Sequence, residues 1–276
     1  MYHTCLLVTC NPEFSEILIA ELGEANFDTF LENDNGFEAY VEEDKFDEQL
    51  VEEIRKKYIS STPLVFSFTV IPKKNWNEAW EKSYTPIVVE DKCLIRADFH
   101  HPDKRYPYEI IITPKMSFGT GHHQTTYLMI KNIMDMACPD KRVMDAGCGT
   151  AILSIMAGKL GAREVQAFDI DEWSVVNGNE NIDINQCKNI HIQQGAISDV
   201  NLTGKFDIIL ANINKNVLLD EIKKYVHYLN PQGFMLLSGF FTLDIPDILL
   251  EASLWNLKEV RRDDRETWAS LLLQRT

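Results

Sequence analysis

Arg142-Val143-Met144-Asp145-Ala146-Gly147-Cys148-Gly149-Thr150-Ala151 is the stretch of sequence that decides the fold. Residues 142–146 predict a buried strand, and Gly147 and Gly149 predict a tight turn at its C-terminal end, where the backbone comes close to a ligand. A dinucleotide-binding fingerprint would need a further glycine at position 152, which is Ile152. The stretch therefore predicts a ligand-binding turn that does not bind a pyrophosphate.

A carboxylate follows at the end of the next predicted strand. Asp169 lies 22 residues after Gly147, where an acidic side chain can accept hydrogen bonds from both hydroxyls of a ribose. Each feature alone is common in ordinary turns. Together, on successive strands, they favour a site for an adenosine-type ligand.

The pattern around this stretch alternates between short apolar strands and helices, which predicts a parallel sheet with helices on both faces. The predicted elements are 142–146, 152–160, 165–170, 172–185, 190–194, 206–211, 217–229 and 234–238. Two last strands, 255–260 and 268–274, are separated by the charged stretch 261–266. This spacing predicts a hairpin that ends the sheet with an antiparallel strand.

The N-terminal part has a different order: strand, helix, strand, strand, helix, strand, as in a ferredoxin-like α+β domain. Helical spacing predicts that the two helices bury Phe14, Ile17, Leu18 and Leu22, and Phe46, Leu50, Val51 and Ile54. Pro72-Lys73-Lys74 marks a boundary, and 75–82 predicts a linking helix in which Trp76 and Trp80 pack against a larger body. We expect a domain at 1–72, a linker at 73–85 and a catalytic domain at 86–276.

Composition narrows the class of protein. The 276 residues are 45% hydrophobic and 25% charged, with a formal net charge of −15, and no apolar run reaches the roughly 20 residues of a membrane span. The N-terminus does not resemble a signal peptide, so we expect a cytoplasmic protein without membrane contact. We also expect a monomer. An acidic surface repels nucleic acid and attracts basic proteins. Six scattered cysteines and the pairs His100-His101 and His122-His123 do not indicate a metal site.

Two motifs resemble those of the class I S-adenosylmethionine methyltransferases. Residues 145–149 match the first motif of that family, an acidic residue, a variable residue and Gly-x-Gly. Phe206-Asp207-Ile208-Ile209-Leu210-Ala211-Asn212-Ile213 resembles the fourth motif, a buried strand ending in an asparagine near the transferred methyl group. The resemblance implies a Rossmann-like catalytic domain with S-adenosylmethionine as cofactor. Asn212 is also suited to cap the helix that follows.

A third segment resembles the ribosomal protein L11 methyltransferases more specifically. Residues 116–126, Met-Ser-Phe-Gly-Thr-Gly-His-His-Gln-Thr-Thr, are similar to the F-G-T-G-T-H-P-T-T signature of that family, and 75–80 are similar to its tryptophan-bearing linker. The resemblance covers nearly the whole chain. It implies methylation of lysine and N-terminal amines of the large-subunit ribosomal protein L11, with the N-terminal domain holding the substrate. Thr126, Gly147, Asp169 and Asn212 would contact the cofactor, and Asn212 would also be catalytic.

The chain departs from that signature at three positions. His122 replaces a threonine, Gln124 replaces a proline, and Ala151 stands where the first motif usually has another glycine. Alanine suits the start of a helix if its φ is negative. These departures leave open a methyltransferase that acts on another protein or a small molecule. A non-catalytic module with a vestigial nucleoside site is the third alternative, against which the intact Asn212 argues.

Overall fold

The structure is a computed structural model that describes residues 3–33, 35–71, 84–115 and 117–276. The chain divides into two compact units, Met1–Ser83 and Tyr84–Thr276. The predicted linking helix with Trp76 and Trp80 lies outside the described residues. The helix and the boundaries drawn around it therefore remain predictions.

Residues 3–71 form an antiparallel sheet covered by two α-helices. The elements are β1 (His3–Thr9), α1 (Pro12–Glu24), β2 (Thr29–Asn33), β3 (Gly36–Glu42), α2 (Glu48–Tyr58) and β4 (Val65–Ile71). The strands lie in the order β2-β3-β1-β4, and each neighbouring pair is antiparallel. This is the ferredoxin-like arrangement, so the predicted fold of this domain is confirmed.

One residue of each helix faces solvent although the sequence pattern placed it inside. Leu18 of α1 and Val51 of α2 are fully buried, whereas their neighbours Ile17 and Leu50 are 50% and 36% exposed. Adjacent residues on a helix point about 100° apart, and each helix buries one narrow stripe against the sheet. The buried face of each helix is therefore narrower than the sequence pattern predicted.

The second unit begins with a small sheet that the sequence analysis did not predict. It consists of β5 (Ile87–Val89), β6 (Cys93–Arg96) and β7 (Tyr108–Ile111). β5 is antiparallel and β7 parallel to β6. Strands of three or four residues are too short for an alternating pattern to stand out in the sequence.

A seven-stranded sheet forms the centre of the second unit. Its elements are α3 (Gln124–Met134), β8 (Arg142–Ala146), α4 (Ile152–Lys159), β9 (Glu164–Asp169), α5 (Glu172–Ile184), β10 (Ile190–Gln194), β11 (Phe206–Asn212), α6 (Lys215–Tyr228), β12 (Leu229–Phe241), α7 (Ile245–Leu254), β13 (Leu257–Arg265) and β14 (Trp268–Arg275). The strand order is β10-β9-β8-β11-β12-β14-β13, with β14 antiparallel to both neighbours. The predicted Rossmann-like domain is confirmed.

Two apolar cores lie on the two faces of this sheet. One core contains Met129 of α3, Met156 of α4 and Ile182 of α5. The other contains Leu218 of α6 and Ile248 of α7. Because β9 and β11 lie on opposite sides of β8, the connections diverge at the C-terminal end of β8. Ligands of open α/β sheets bind at such a point. No helix in the described part of the chain is long and apolar enough to cross a membrane.

The C-terminal hairpin is present, but its charged stretch belongs to a strand. β13 extends to Arg265, which pairs with Trp268 across a two-residue turn. Arg261 donates to the Oδ1 of Asn132, and Lys131 pairs with Asp263 at 2.9 Å. The sequence pattern predicted that residues 261–266 separate two strands, which is wrong for 261–265. The charged groups are the side chains of an edge strand that bind α3 through polar contacts.

Candidate active site

The turn after β8 is a glycine turn that lies against a second loop. Gly147 and Gly149 have φ values of +67° and +52°, in the region that glycine adopts readily. A Cβ on Gly149 would lie 2.3 Å from the carbonyl oxygen of Phe118. Thr150 closes the contact, since its N–H donates to Phe118 O at 2.9 Å and its Oγ1 to Gly119 O at 2.6 Å. The F-G-T-G loop is thus held against the glycine turn.

The structure shows the conformation of Ala151 and the hydrogen-bond partner of Gln124, two of the three positions at which the chain departs from the family signature. Ala151 has a φ of +63°, so the condition of a negative angle, under which alanine suits this position without strain, is not met. A left-handed alanine costs about 1–2 kcal/mol; here its N–H donates to Cys148 O and its carbonyl accepts from Ile155 N, both at 2.8 Å. Gln124 donates to the Oε1 of Glu266 at 2.7 Å, which joins the start of α3 to the β13–β14 turn.

Asp169 ends β9 and is hydrogen-bonded to the glycine turn of the neighbouring strand. Its Oδ2 accepts the N–H of Gly149 at 2.8 Å, and its Oδ1 accepts the N–H of Asp171 at 3.0 Å. Each carboxylate oxygen can accept a further hydrogen bond. Asp169 therefore braces the turn and can still bind a ligand.

A first cavity of about 390 Å³ opens at the C-terminal ends of β8, β9, β10 and β11. Gly147, Asp169 and Asn212, three of the four predicted site residues, line it together. Its volume lies in the usual range for small-molecule sites. The remaining lining includes apolar Ile170, Ala196, Ile213 and Val217 and polar Asp171, Ser174 and Glu221.

Thr126, the fourth predicted site residue, is not among the residues that line this cavity. It is fully buried in the first turn of α3. Its Oγ1 has no hydrogen-bond partner among the described residues. The structure therefore does not bring Thr126 to the wall of the cavity, and its contact with a cofactor remains a prediction.

Asn212 ends β11 with a buried and unpaired oxygen. Its Oδ1 has no hydrogen-bond partner among the residues that the structure describes. The following helix is capped by Asn214, which accepts the N–H of Val217 at 3.1 Å, so the alternative of Asn212 as the cap is wrong. An unsatisfied buried acceptor costs about 1–3 kcal/mol, which is accounted for if a ligand supplies the donor.

A second cavity of about 270 Å³ adjoins the first. Both cavities are lined by Phe118, Asn212, Ile213 and Asn214, and the second adds His123, Thr125, Gly239 and Trp268. The strand pairing of β12 shifts register around Gly239, where φ is +97°. A Cβ at that position would lie 2.2 Å from the carbonyl oxygen of Ile213. The resulting bulge shapes the wall of the second cavity.

The structure accounts for the pair His122-His123. His123 caps α3, with its Nδ1 accepting the N–H of Thr125 at 3.3 Å, and its ring meets that of Trp268 edge-on at 4.6 Å. The ring of His122 packs against Tyr84 instead, at 4.7 Å. In the described parts of the chain, no three His, Cys, Asp or Glu side chains are grouped so that they could hold a metal ion.

Asp145 lies fully buried below the glycine turn. Its Oδ2 accepts hydrogen bonds from the N–H and the hydroxyl of Ser154, at 3.1 and 2.6 Å. Burial raises the pKa of its carboxyl to about 7, although the bonds from Ser154 act in the opposite direction. Asp145 therefore supports the turn from below as a group that titrates near neutral pH.

Sequence reasoning missed Trp268 and Glu221 as site residues. Trp268 reaches the second cavity through the pairing of β14 with β12, opposite Phe241, and nothing in its local sequence indicates this. Glu221 left a weak signal, because it lies four residues before the fully buried Tyr225, beside the apolar stripe of α6.

Comparison with known proteins assigns this chain to a family. Residues 15–276 match the family model described as ribosomal protein L11 methyltransferase (PrmA). The chain belongs to this family. The ribosomal protein L11 methyltransferase of Bacteroides thetaiotaomicron is 40% identical over 264 residues, which cover 95% of this chain and 94% of that protein. The protein of the same name from Porphyromonas gingivalis is 42% identical over 262 residues, covering 93% and 89%.

A solved structure agrees with this assignment. The crystal structure of the ribosomal protein L11 methylase from Lactobacillus delbrueckii subsp. bulgaricus matches with a TM-score of 0.64 and 31% identity. The match covers 70% of this chain and 99% of that one. As a member of the family, the chain is a methyltransferase, and its methyl donor is S-adenosylmethionine.

The residues of the first cavity fit this cofactor. A side chain at Gly147 would place its Cβ 2.4 Å from Ile213, so glycine keeps the turn open beside the cavity. Asp169 retains acceptor capacity for ribose hydroxyls. Asn212 contributes an oxygen without a partner at the junction of the two cavities.

Proposed function

We propose that this chain methylates lysine and N-terminal amines of ribosomal protein L11. The substrate follows from the names of relatives that match it over nearly their whole length. The observation that supports an amine as the methyl acceptor is the unpaired Oδ1 of Asn212, which lies where the two cavities meet. We assign the first cavity to the cofactor and the second to the amine.

The reaction requires a neutral amine in a dry site. S-adenosylmethionine supplies a methyl group that its sulfonium already activates, so the protein must position the amine and exclude water. A free lysine has a pKa of about 10.4, and its deprotonation at pH 7 costs about 4.6 kcal/mol. The second cavity therefore has to favour the neutral form.

Asn212 suits this task because its amide oxygen is a neutral acceptor. A carboxylate in its place would stabilise the ammonium form. The Oδ1 of Asn212 can accept one N–H of the neutral amine and leave the lone pair of the nitrogen free. Phe118 and Trp268, in the wall of the second cavity, would cover the aliphatic stem of a lysine side chain and exclude water.

The N-terminal unit is proposed to hold the substrate. Glu48, Glu52 and Glu53 of α2 surround a shallow hollow together with Gln49 and Lys56. Clustered acidic side chains attract a basic partner and raise its encounter rate.

We further propose that the reaction takes place in the cytoplasm. A single chain suffices for it, because every lining residue of both cavities belongs to Tyr84–Thr276.

Transfer of radiolabelled methyl groups from S-adenosylmethionine to purified ribosomal protein L11 tests the proposal. Mass spectrometry of peptides should locate the label on lysine Nζ atoms and on the N-terminal amine, and L11 with acetylated amines should remain unlabelled. Label on another atom, or transfer only to other proteins or small molecules, would contradict the proposed acceptor. Cofactor binding without any transfer would favour a non-catalytic module.

A further inference from the structure

Glu221 places a carboxylate in the wall of the first cavity that the mechanism above does not use. It lies on α6, one turn after Val217 and one turn before Tyr225, and all three line the cavity. Its side chain is 14% exposed. Burying a carboxylate is unfavourable unless it is paired, so the partners of Glu221 indicate what it can do.

The Glu221 carboxylate is fixed by its own helix. The hydroxyl of Tyr225 donates to its Oε2 at 2.5 Å, and Lys224 Nζ lies 3.4 Å from its Oε1. Burial, and then the bond to Glu221, raise the pKa of Tyr225, which therefore remains a donor. A carboxylate has about four acceptor positions, so Glu221 is oriented and can still accept a hydrogen bond from a ligand.

The other acidic side chains of the cavity are occupied by local backbone groups. Asp169 accepts the N–H groups of Gly149 and Asp171, and we assign its remaining acceptor capacity to the ribose. Asp171 caps α5 through the N–H groups of Trp173 and Ser174. Of the acidic residues that line the cavity in the described chain, Glu221 alone is bonded to side chains, Lys224 and Tyr225, and not to the backbone.

The cofactor brings several groups that need an acceptor, and the adenine base is one of them. The adenine base carries an exocyclic amine, which donates two hydrogen bonds and accepts none. The residue after the turn that ends β10 is Ala196, which lines the cavity without a polar side chain, and Ile197 beside it is buried in the core. Asn212 lies at the junction with the second cavity, whereas Glu221 lines the first cavity alone and has free acceptor capacity for the base.

We propose that Glu221 accepts a hydrogen bond from the exocyclic amine of the cofactor's adenine and so selects adenine over a purine with a carbonyl group at that position. Tyr225 is the positioning residue that holds the carboxylate in place. A purine with a carbonyl group at that position would lose the hydrogen bond to Glu221. Its carbonyl oxygen would also be repelled by the negative charge of the carboxylate.

Calorimetric binding of three ligands tests this selection on the full chain. The ligands are S-adenosylhomocysteine, S-inosylhomocysteine, which has a carbonyl in place of the amine, and 5′-methylthioadenosine, which lacks the amino-acid part. The variant is Glu221→Gln. The matched control is Asp220→Asn, which removes the neighbouring exposed carboxylate of α6 that does not line the cavity.

Glu221→Gln should weaken S-adenosylhomocysteine and 5′-methylthioadenosine about tenfold each, the loss expected for one charge-assisted hydrogen bond. The affinity for S-inosylhomocysteine should stay the same or rise, because the glutamine amide can donate to the carbonyl. Asp220→Asn should leave all three affinities within about twofold. The ratio of the two homocysteine affinities is measured on the same folded sample, so it does not depend on how much of the variant folds.

Two results would overturn the proposal. Equal weakening of the adenine and inosine ligands would mean that Glu221 does not sense the exocyclic group. Weakening of S-adenosylhomocysteine with unchanged binding of 5′-methylthioadenosine would instead assign the carboxylate to the amino group of the amino-acid part.

Discussion

The N–H of Gly149 donates a 2.8 Å hydrogen bond to the Oδ2 of Asp169. The glycine turn of β8 and the acidic end of β9 are thus one structural unit, although twenty residues separate them in the chain. If Asp169 binds the cofactor as we expect, binding and the conformation of the turn are coupled through this side chain.

Asp169→Ala should weaken the affinity for S-adenosylmethionine by roughly 2 kcal/mol or more, about 30-fold, because hydrogen bonds to the ribose and the brace on Gly149 are lost together. Asp169→Asn keeps one oxygen for Gly149 and should lose less. Calorimetry on both variants measures the difference. Unchanged affinity in the alanine variant would remove Asp169 from the cofactor site.

Trp268→Ala should lower kcat/KM for the protein substrate about tenfold or more, because the second cavity loses the wall that covers the acceptor side chain. The affinity for S-adenosylmethionine should stay within about threefold, since Trp268 does not line the first cavity. Trp255→Ala is the matched control, because that tryptophan bonds to Glu251 on the surface. Equal effects of both substitutions would show that the loss is unrelated to the cavity.

Asp145 should make stability depend on pH. Burial raises the pKa of its carboxyl from 3.8 to about 7, so the folded state binds a proton more tightly than the unfolded chain. The contribution of Asp145 to the unfolding free energy therefore falls as pH rises from about 4 to about 7. Asp145→Asn removes this titration and keeps an oxygen for Ser154.

Urea unfolding of both proteins between about pH 5 and pH 8 checks the sign. The stability of Asp145→Asn relative to the natural chain should rise by about 2–3 kcal/mol over this interval and then level off. A difference that stays constant with pH would show that Asp145 does not titrate there.

The N-terminal unit should be needed for the protein substrate and not for the cofactor. A chain beginning at Lys73 should bind S-adenosylmethionine with near-normal affinity and fail to methylate L11, because the substrate is no longer held beside the methyl group. In the full chain, replacing Glu48, Glu52 and Glu53 by lysine should raise KM for L11 at low salt. Methylation by the shortened chain at the full rate would refute a role in recognition.

Much of the fold could be predicted because its signals are local. A few consecutive residues are enough to recognise each of three features: the glycines after β8, the carboxylate that ends β9 and the strand before Asn212. Since the C-terminal ends of parallel strands share one edge of the sheet, these signals were enough to place Gly147, Asp169 and Asn212 in one cavity.

The parts that could not be predicted depend on contacts between distant segments. Trp268 reaches the second cavity through the register of β14 on β12, and Phe118 reaches the glycine turn through a backbone contact with Thr150. The positive φ of Ala151 was missed because alanine rarely adopts it. Such features follow from tertiary packing, which a sequence pattern does not record.

Asn212 should act on the amine in the transfer step more than on the affinity for the cofactor. Single-turnover methyl transfer to L11 and the dissociation constant of S-adenosylmethionine, measured side by side for Asn212→Ala, test it most directly. The control is Asn230→Ala, which removes an asparagine that bonds to Asp207 outside both cavities. We predict that methyl transfer slows by about 100-fold or more while cofactor affinity changes less than about threefold. Loss of cofactor binding with an unchanged rate of methyl transfer would contradict the account.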